Sequence, residues 1–203
     1  MSMTNYTLDT NAAKKAGMSN YISETGSYKG RIKVAFACKS KQNTEGMEIM
    51  FEDDNKMSAD YLQIWTRKAD GTLLPGDAMV HAIMACCELR NMTTEDRPVE
   101  RNNSTATVPV YKELTGKRIG FLMEKEPYLK ADGTTGFSMV LVCPFEADSG
   151  RTAKEKLDKA NAETLPAMIA RLKDRPMRKP AGGSSRVSAP ATANAGPDDD
   201  IPF

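Results

Sequence analysis

Histidine is almost missing from this chain: His81 is the only one in 203 residues. Cysteine is scarce too. Cys38, Cys86, Cys87 and Cys143 form no Cys-x-x-Cys pair. With one histidine and no paired thiols, the ligand spacing of a structural zinc site is not there. The thiols instead read as reduced, small core residues. The same shortage removes histidine-based nucleophile activation, and no Gly-x-Ser-x-Gly occurs. Leu114-Thr115-Gly116-Lys117 ends like a phosphate loop, but the earlier glycine that would complete it is missing. These absences predict a protein that is not an enzyme and needs no cofactor. Net charge is nearly absent as well, at +1, so no overall basic footprint announces a nucleic-acid partner. No apolar run approaches the roughly 20 residues of a membrane-spanning helix. Met1 to Asn20 has no apolar core of signal-peptide type, which predicts a cytoplasmic location.

What is present is unevenly arranged. Between Tyr28 and Lys41 lie Lys29, Arg31, Lys33, Lys39 and Lys41, with no acid among them. From Glu45 to Asp60 the balance reverses: Glu45, Glu48, Glu52, Asp53, Asp54 and Asp60 oppose Lys56 alone. Such segregation lets a nearly neutral molecule carry a basic groove. No pair stands out among the carboxylates, so they read as a solvated acidic hairpin.

Residues 1–20 are polar and read as a loose arm or a short helix near Ala12–Ala16. From Tyr28 to Cys38 the pattern has period two, with Ile32, Val34, Phe36 and Cys38 on one side, which predicts a half-buried strand. Met47, Ile49 and Phe51 continue it in a second strand. Tyr61 to Arg67 gives a third, with Leu62 and Ile64 on one face and Tyr61, Gln63, Trp65 and Arg67 on the other. Phe36, Phe51 and Phe121 are assigned to the core.

Pro75-Gly76-Asp77 opens a helix, with Asp77 as its N-cap and Val80, Ile83, Met84 and Cys87 as its apolar stripe to about Arg90. His81 falls off that stripe and reads as solvated. Residues 91–106 read as a polar loop and Thr107 to Tyr111 as a short strand. Lys117 to Lys125 and Phe137 to Phe145 are further strands around a turn at Asp132-Gly133. Three strands, a helix and then two or three strands is the order of an OB-fold, a five-stranded partly open barrel used for oligonucleotides.

Arg151 to Arg175 reads as a helical extension broken near Thr164. Thr164 is the predicted cap of its second helix, and Leu165, Met168, Ile169 and Leu172 form a stripe for packing on the barrel. Residues 177–197 are rich in Ala, Pro, Gly and Ser and read as a linker. The predicted organisation is thus an arm at 1–20, a body at 21–150, the extension at 151–176, and linker plus tip at 177–203.

The chain closes on Asp198-Asp199-Asp200-Ile201-Pro202-Phe203. Three carboxylates beside a terminal aromatic ring make a docking peptide: the ring can fill an apolar pocket while surrounding cations hold the acids. Pro202 narrows the conformations lost on binding. This hexapeptide resembles, residue for residue, the C-terminal tip of bacterial single-stranded DNA-binding proteins. The N-terminal half lacks the start expected of the cellular members. In layout the body is more similar to a phage-encoded single-stranded DNA-binding protein carrying a host-type tip. The resemblance implies replication, recombination or repair in a bacterial host's cytoplasm, with host proteins recruited through residues 198–203.

A single-strand binder needs cations for phosphates and aromatic faces for bases. The candidates are Arg31, Lys33 and Lys39 on the first strand, Tyr61, Trp65 and Arg67 on the third, and Tyr128 and Lys130 on the last hairpin. Aromatics in strands also fill cores, so the faces must decide. Two other readings remain open at this stage: an adaptor or decoy that competes for the host's tip-binding proteins without touching DNA, and an RNA-binding OB-fold.

Overall fold

The computed structural model describes residues 7–10, 20–101 and 104–178. The docking tip, the linker beyond Arg178 and most of the N-terminal arm lie outside the described residues. The described chain is mainly β, with seven antiparallel strands in one partly open sheet and few helices. No helix among the described residues is long and apolar enough to cross a membrane.

The strands are β1 (Gly26–Lys39), β2 (Glu45–Asp53), β3 (Ser58–Arg67), β4 (Thr94–Arg101), β5 (Ser104–Tyr111), β6 (Arg118–Leu129) and β7 (Thr135–Phe145). β1 organises them. Along one edge, Gly30 to Lys39 pair with β2. Along the other, Gly26 to Arg31 pair with β6, and Phe36 pairs with Val110 of β5. β2 then pairs with β3, β6 with β7, and β4 with β5. The path β3-β2-β1-β6-β7 therefore turns back on itself, and β3 packs against β7.

The interior of this curve is apolar. Ile32, Ile49, Phe51, Leu62, Ile119 and Phe121 are at most 1% exposed. Phe51 and Phe121 meet edge to face, with centroids 5.2 Å apart. Truncating either ring to alanine would cost about 3–5 kcal/mol. Helix α1 (Pro75–Cys86) packs on β3 and β7, burying Ile83 and Cys86. Its proline is placed where the missing amide costs nothing, and its N-cap is Leu74. Asp77, the expected cap, lies inside the first turn and faces His81 at 3.6 Å.

Four expectations change. Within the stretch read as a loop at 91–106, Thr94 to Arg101 is a strand paired along its whole length with β5. The hairpin is largely exposed, so it carries no apolar alternation from which to read a strand.

The alternation of β1 also breaks. A bulge between Ile32 and Val34 leaves Lys33 without a cross-strand partner, and the core face passes from Ile32 to Ala35. Phe36 is consequently buried on the opposite face, away from Phe51 and Phe121.

The acidic stretch is not simply solvated. Glu48 and Asp53 are 1% and 5% exposed, and Asp53 Oδ1 accepts from the amides of Asn55 and Met57 to close the β2–β3 turn.

Residues 151–175, finally, hold only two short helices, α2 (Ala153–Leu157) and α3 (Thr164–Ile169). Glu155 links them, and Thr164 does not cap α3. One Glu155 oxygen takes the Thr152 amide, closing a capping box, and the other takes the amides of Glu163 and Thr164. Leu165, Met168 and Leu172 pack on Leu122 and Phe145 as the stripe predicts, while Ile169 remains 41% exposed.

Beyond α3 the chain runs extended along the stretch of β6 that β1 leaves free. The Arg175 amide donates to the Lys125 carbonyl and the Arg178 amide to that of Pro127. Arg175 pairs with Glu124 at 3.0 Å, and Arg178 pairs with Glu126.

Candidate nucleic-acid interface

Residues directly opposite in an antiparallel ladder share a face, so the register defines which side chains lie on the outside of the sheet. One row is continuous across five strands: Gln63, Glu48, Phe36, Val110 and Glu95. Its centre is closed, since Glu48, Phe36 and Val110 are at most 2% exposed. The Gln63 amide donates to Glu48 Oε2 at 3.1 Å. A neighbouring row carries Trp65, Gly46 and Cys38. Trp65 is half-buried there and belongs to neither apolar core. It is thus on the outer face, as the alternation of β3 predicts.

Glycine at position 46 makes the seat for the indole. A Cβ on Gly46 would stand 2.8 Å from Trp65 Cε3 and 2.7 Å from the Ile64 carbonyl oxygen. The ring therefore lies against bare backbone. Near it at the β1–β2 turn, Lys39 and Glu45 form an ion pair at 3.1 Å, and Glu45 is the ladder partner of Arg67. Lys39 follows Cys38 of the Trp65 row on β1, so alternation turns it to the opposite face. The structure places Lys39 and Arg67 at the same end of the β1–β3 ladder as Trp65 but does not bring Lys39 onto the face of the indole.

Tyr61 is held differently from the expectation. Ile49 pairs with Leu62 and Phe51 with Ala59, so Asp60 and Tyr61 together oppose Met50 in a second bulge. Tyr61 takes a left-handed backbone, with φ +63°. A bulky side chain rarely adopts that region. Across β2 at the same height stands the β1 bulge at Lys33. Burial raises the Asp60 carboxyl above its ordinary pKa, and the positive charge of Lys33 opposes that shift. Two bulges on either side of Met50 twist the middle of the face and turn Tyr61 outward, where it is 36% exposed.

Arg31 lies farther along. Its ladder partner is Glu52, six residues from Gly46 on β2, or about 20 Å at ordinary strand rise. Its guanidinium donates to the Gly116 carbonyl at 3.0 Å. The structure does not bring Arg31 beside Trp65.

Tyr128 and Lys130 belong to the β6–β7 hairpin. Tyr128 pairs with Gly136 and lies over it, and the Lys130 stem covers the same glycine. Tyr128 also bridges to Arg178. The hairpin carries two residues that the sequence did not single out. Phe137 is 41% exposed with Lys125 Nζ 5.2 Å from its ring centre, a cation–π arrangement, and Leu129 is 51% exposed. The readable signal was an aromatic placed directly after Gly136, near the turn of a hairpin.

No known protein-family model matches the chain, and no curated protein is significantly similar to it in sequence.

Proposed function

We propose that this protein binds single-stranded DNA without sequence preference and recruits bacterial host proteins through its C-terminal tip, in DNA replication, recombination or repair. The observation that carries the reading is Trp65, a tryptophan on the outer face of a strand and outside both cores. Arg67 lies two residues along β3 from it, and toward the middle of the sheet Tyr61 and Lys33 sit at the two bulges that flank Met50. Stacking on such rings contributes roughly 1–3 kcal/mol per base and tolerates any base.

The architecture supports an OB-type barrel. A β1–β2–β3 meander is followed by a helix on β3 and β7, and β6–β7 returns to β1 so that β3 meets β7. On this reading β4–β5 is an inserted hairpin, and β6–β7 is the hairpin that folds over the ligand. The sequence of residues 198–203 supports the recruiting half of the proposal.

Titrating oligo-dT while following its anisotropy and the Trp65 emission tests the reading. Micromolar or tighter binding with a change in emission is expected. No binding at low salt rejects it, and would favour the adaptor reading, which draws support from how many arginines among the described residues are already ion-paired: Arg97, Arg118, Arg151, Arg175 and Arg178.

A further inference from the structure

The end of the outer face farthest from Trp65 sets two guanidinium groups against each other. Arg31 of β1 is the ladder partner of Arg118 of β6, two like charges directly opposite each other. Arg118 is neutralised from outside its strand. Its Nη1 and Nη2 donate to Asp54 Oδ1 and Oδ2 at 2.7 and 3.0 Å, and its Nε donates to Asp148 at 3.0 Å. Asp54 is held for this task, because its backbone amide donates to the Lys29 carbonyl at 2.9 Å. The β1 cations have the Glu52 and Asp54 carboxylates within electrostatic reach, Glu52 being the ladder partner of Arg31, but no direct pairing of this kind. Among the described residues Lys29, Arg31 and Lys33 form no ion pair, and all three are exposed.

We propose that Arg31 and Arg118, flanked by Lys29 and Lys33, form a phosphodiester clamp in which the Asp54 carboxylate occupies the phosphate position until a strand arrives. A guanidinium fork accepts a phosphate in the same two-pronged geometry as a carboxylate. Asp54 and Asp148 are exposed, with half or more of each side chain open to solvent, so they can yield the fork without unfolding anything. The clamp contacts only backbone, so it adds affinity without sequence preference and does not sense the 2′-hydroxyl. It also gives the strand a second fixed point about 20 Å from Trp65, which is the spacing along β2 between Glu52 and Gly46.

This inference rests on the nucleic-acid reading, and its test separates the two. Asp54→Asn, Arg118→Gln and Arg31→Gln are compared with wild type on oligo-dT and oligo-rU across a salt series, with thermal melting as the folding check. Asp158→Asn serves as the charge control, since it changes net charge equally at a distant exposed pair with Lys154.

Expected results are these. Arg118→Gln and Arg31→Gln each weaken both oligonucleotides several-fold and lower the salt slope by about 1. Asp54→Asn tightens both about three- to ten-fold at low salt, and more than Asp158→Asn does. If wild type binds and the arginine variants keep its affinity and slope, the clamp is wrong and the function stands. If Asp54→Asn and Asp158→Asn act alike, the effect is net charge and the clamp is likewise overturned. If wild type binds neither strand, both proposals fall together.

Discussion

Gly46 and Trp65 face each other across β2 and β3, and the indole rests on the glycine so closely that a methyl group there would stand 2.8 Å from Cε3. This contact orients the ring without burying it in a core. Alanine at 46 would also meet the Ile64 carbonyl oxygen at 2.7 Å, so Gly46→Ala disturbs both the ring and the ladder.

Trp65→Ala should therefore separate binding from stability. Removing a half-buried ring outside both cores is expected to cost about 1 kcal/mol of folding stability or less, and roughly 1–3 kcal/mol of single-strand affinity. Oligo-dT titration beside a thermal melt checks this. A large fall in melting temperature with unchanged affinity would make Trp65 a structural residue.

Tyr61 offers a sharper separation, because its backbone and its ring can be tested independently. At φ +63° glycine carries no steric penalty and a β-branched residue a large one. Tyr61→Gly should melt at or above the wild-type temperature, whereas Tyr61→Val should lose about 1–2 kcal/mol. Both should weaken oligonucleotide binding, since neither retains a ring. Equal melting of the two variants would show that the bulge relaxes freely.

Legibility in the sequence followed the period of the hydrophobic pattern. The faces of β3 could be read in advance, because Leu62 and Ile64 alternate with Gln63 and Trp65 within an unbroken stretch. The face of Phe36 could not: the bulge at Lys33 shifts the register of β1, and no residue type in Ile32-Lys33-Val34 marks it. Strand β4 stayed hidden for the opposite reason, since its exposed hairpin selects no apolar face at all. The Arg31–Arg118 pairing was out of reach too, because it joins residues 87 positions apart through a register only the fold sets.

Acid should destabilise the body through Glu146. Its carboxylate takes hydrogen bonds from Lys156, Ser149 and Arg151, which lower its pKa from 4.5 to about 2, against the upward pull of burial. A carboxyl held below its unfolded value stabilises the protein fully above pH 4.5, and that contribution disappears as pH falls toward about 2. Glu155, held well below the usual range first by Thr164 and then by the Thr152 and Glu163 amides, acts in the same direction. Glu146→Gln should lower stability by about 1–3 kcal/mol near neutrality, as the loss of charge-assisted bonds does. It should also flatten the fall in melting temperature below pH 4.5. A variant curve parallel to wild type through that range would remove Glu146 from the account.

Arg178 is fixed to the β6–β7 hairpin by its amide on the Pro127 carbonyl, its side chain on Glu126 and a bridge to Tyr128. On the proposed function, deleting residues 198–203 should abolish capture of host single-strand-processing proteins while leaving the melting temperature of the body unchanged. Phe203→Ala alone should remove most of that capture, since on the proposed function the ring anchors and the aspartates steer. Arg178→Ala removes the ion pair with Glu126 but keeps residues 198–203, so it should leave capture intact and loosen only this contact, which faster exchange of the amides at Arg175 and at position 178, donors to the Lys125 and Pro127 carbonyls, would report. Capture that survives the six-residue deletion would place the recruiting surface on the body, and the tip would then have no part in it.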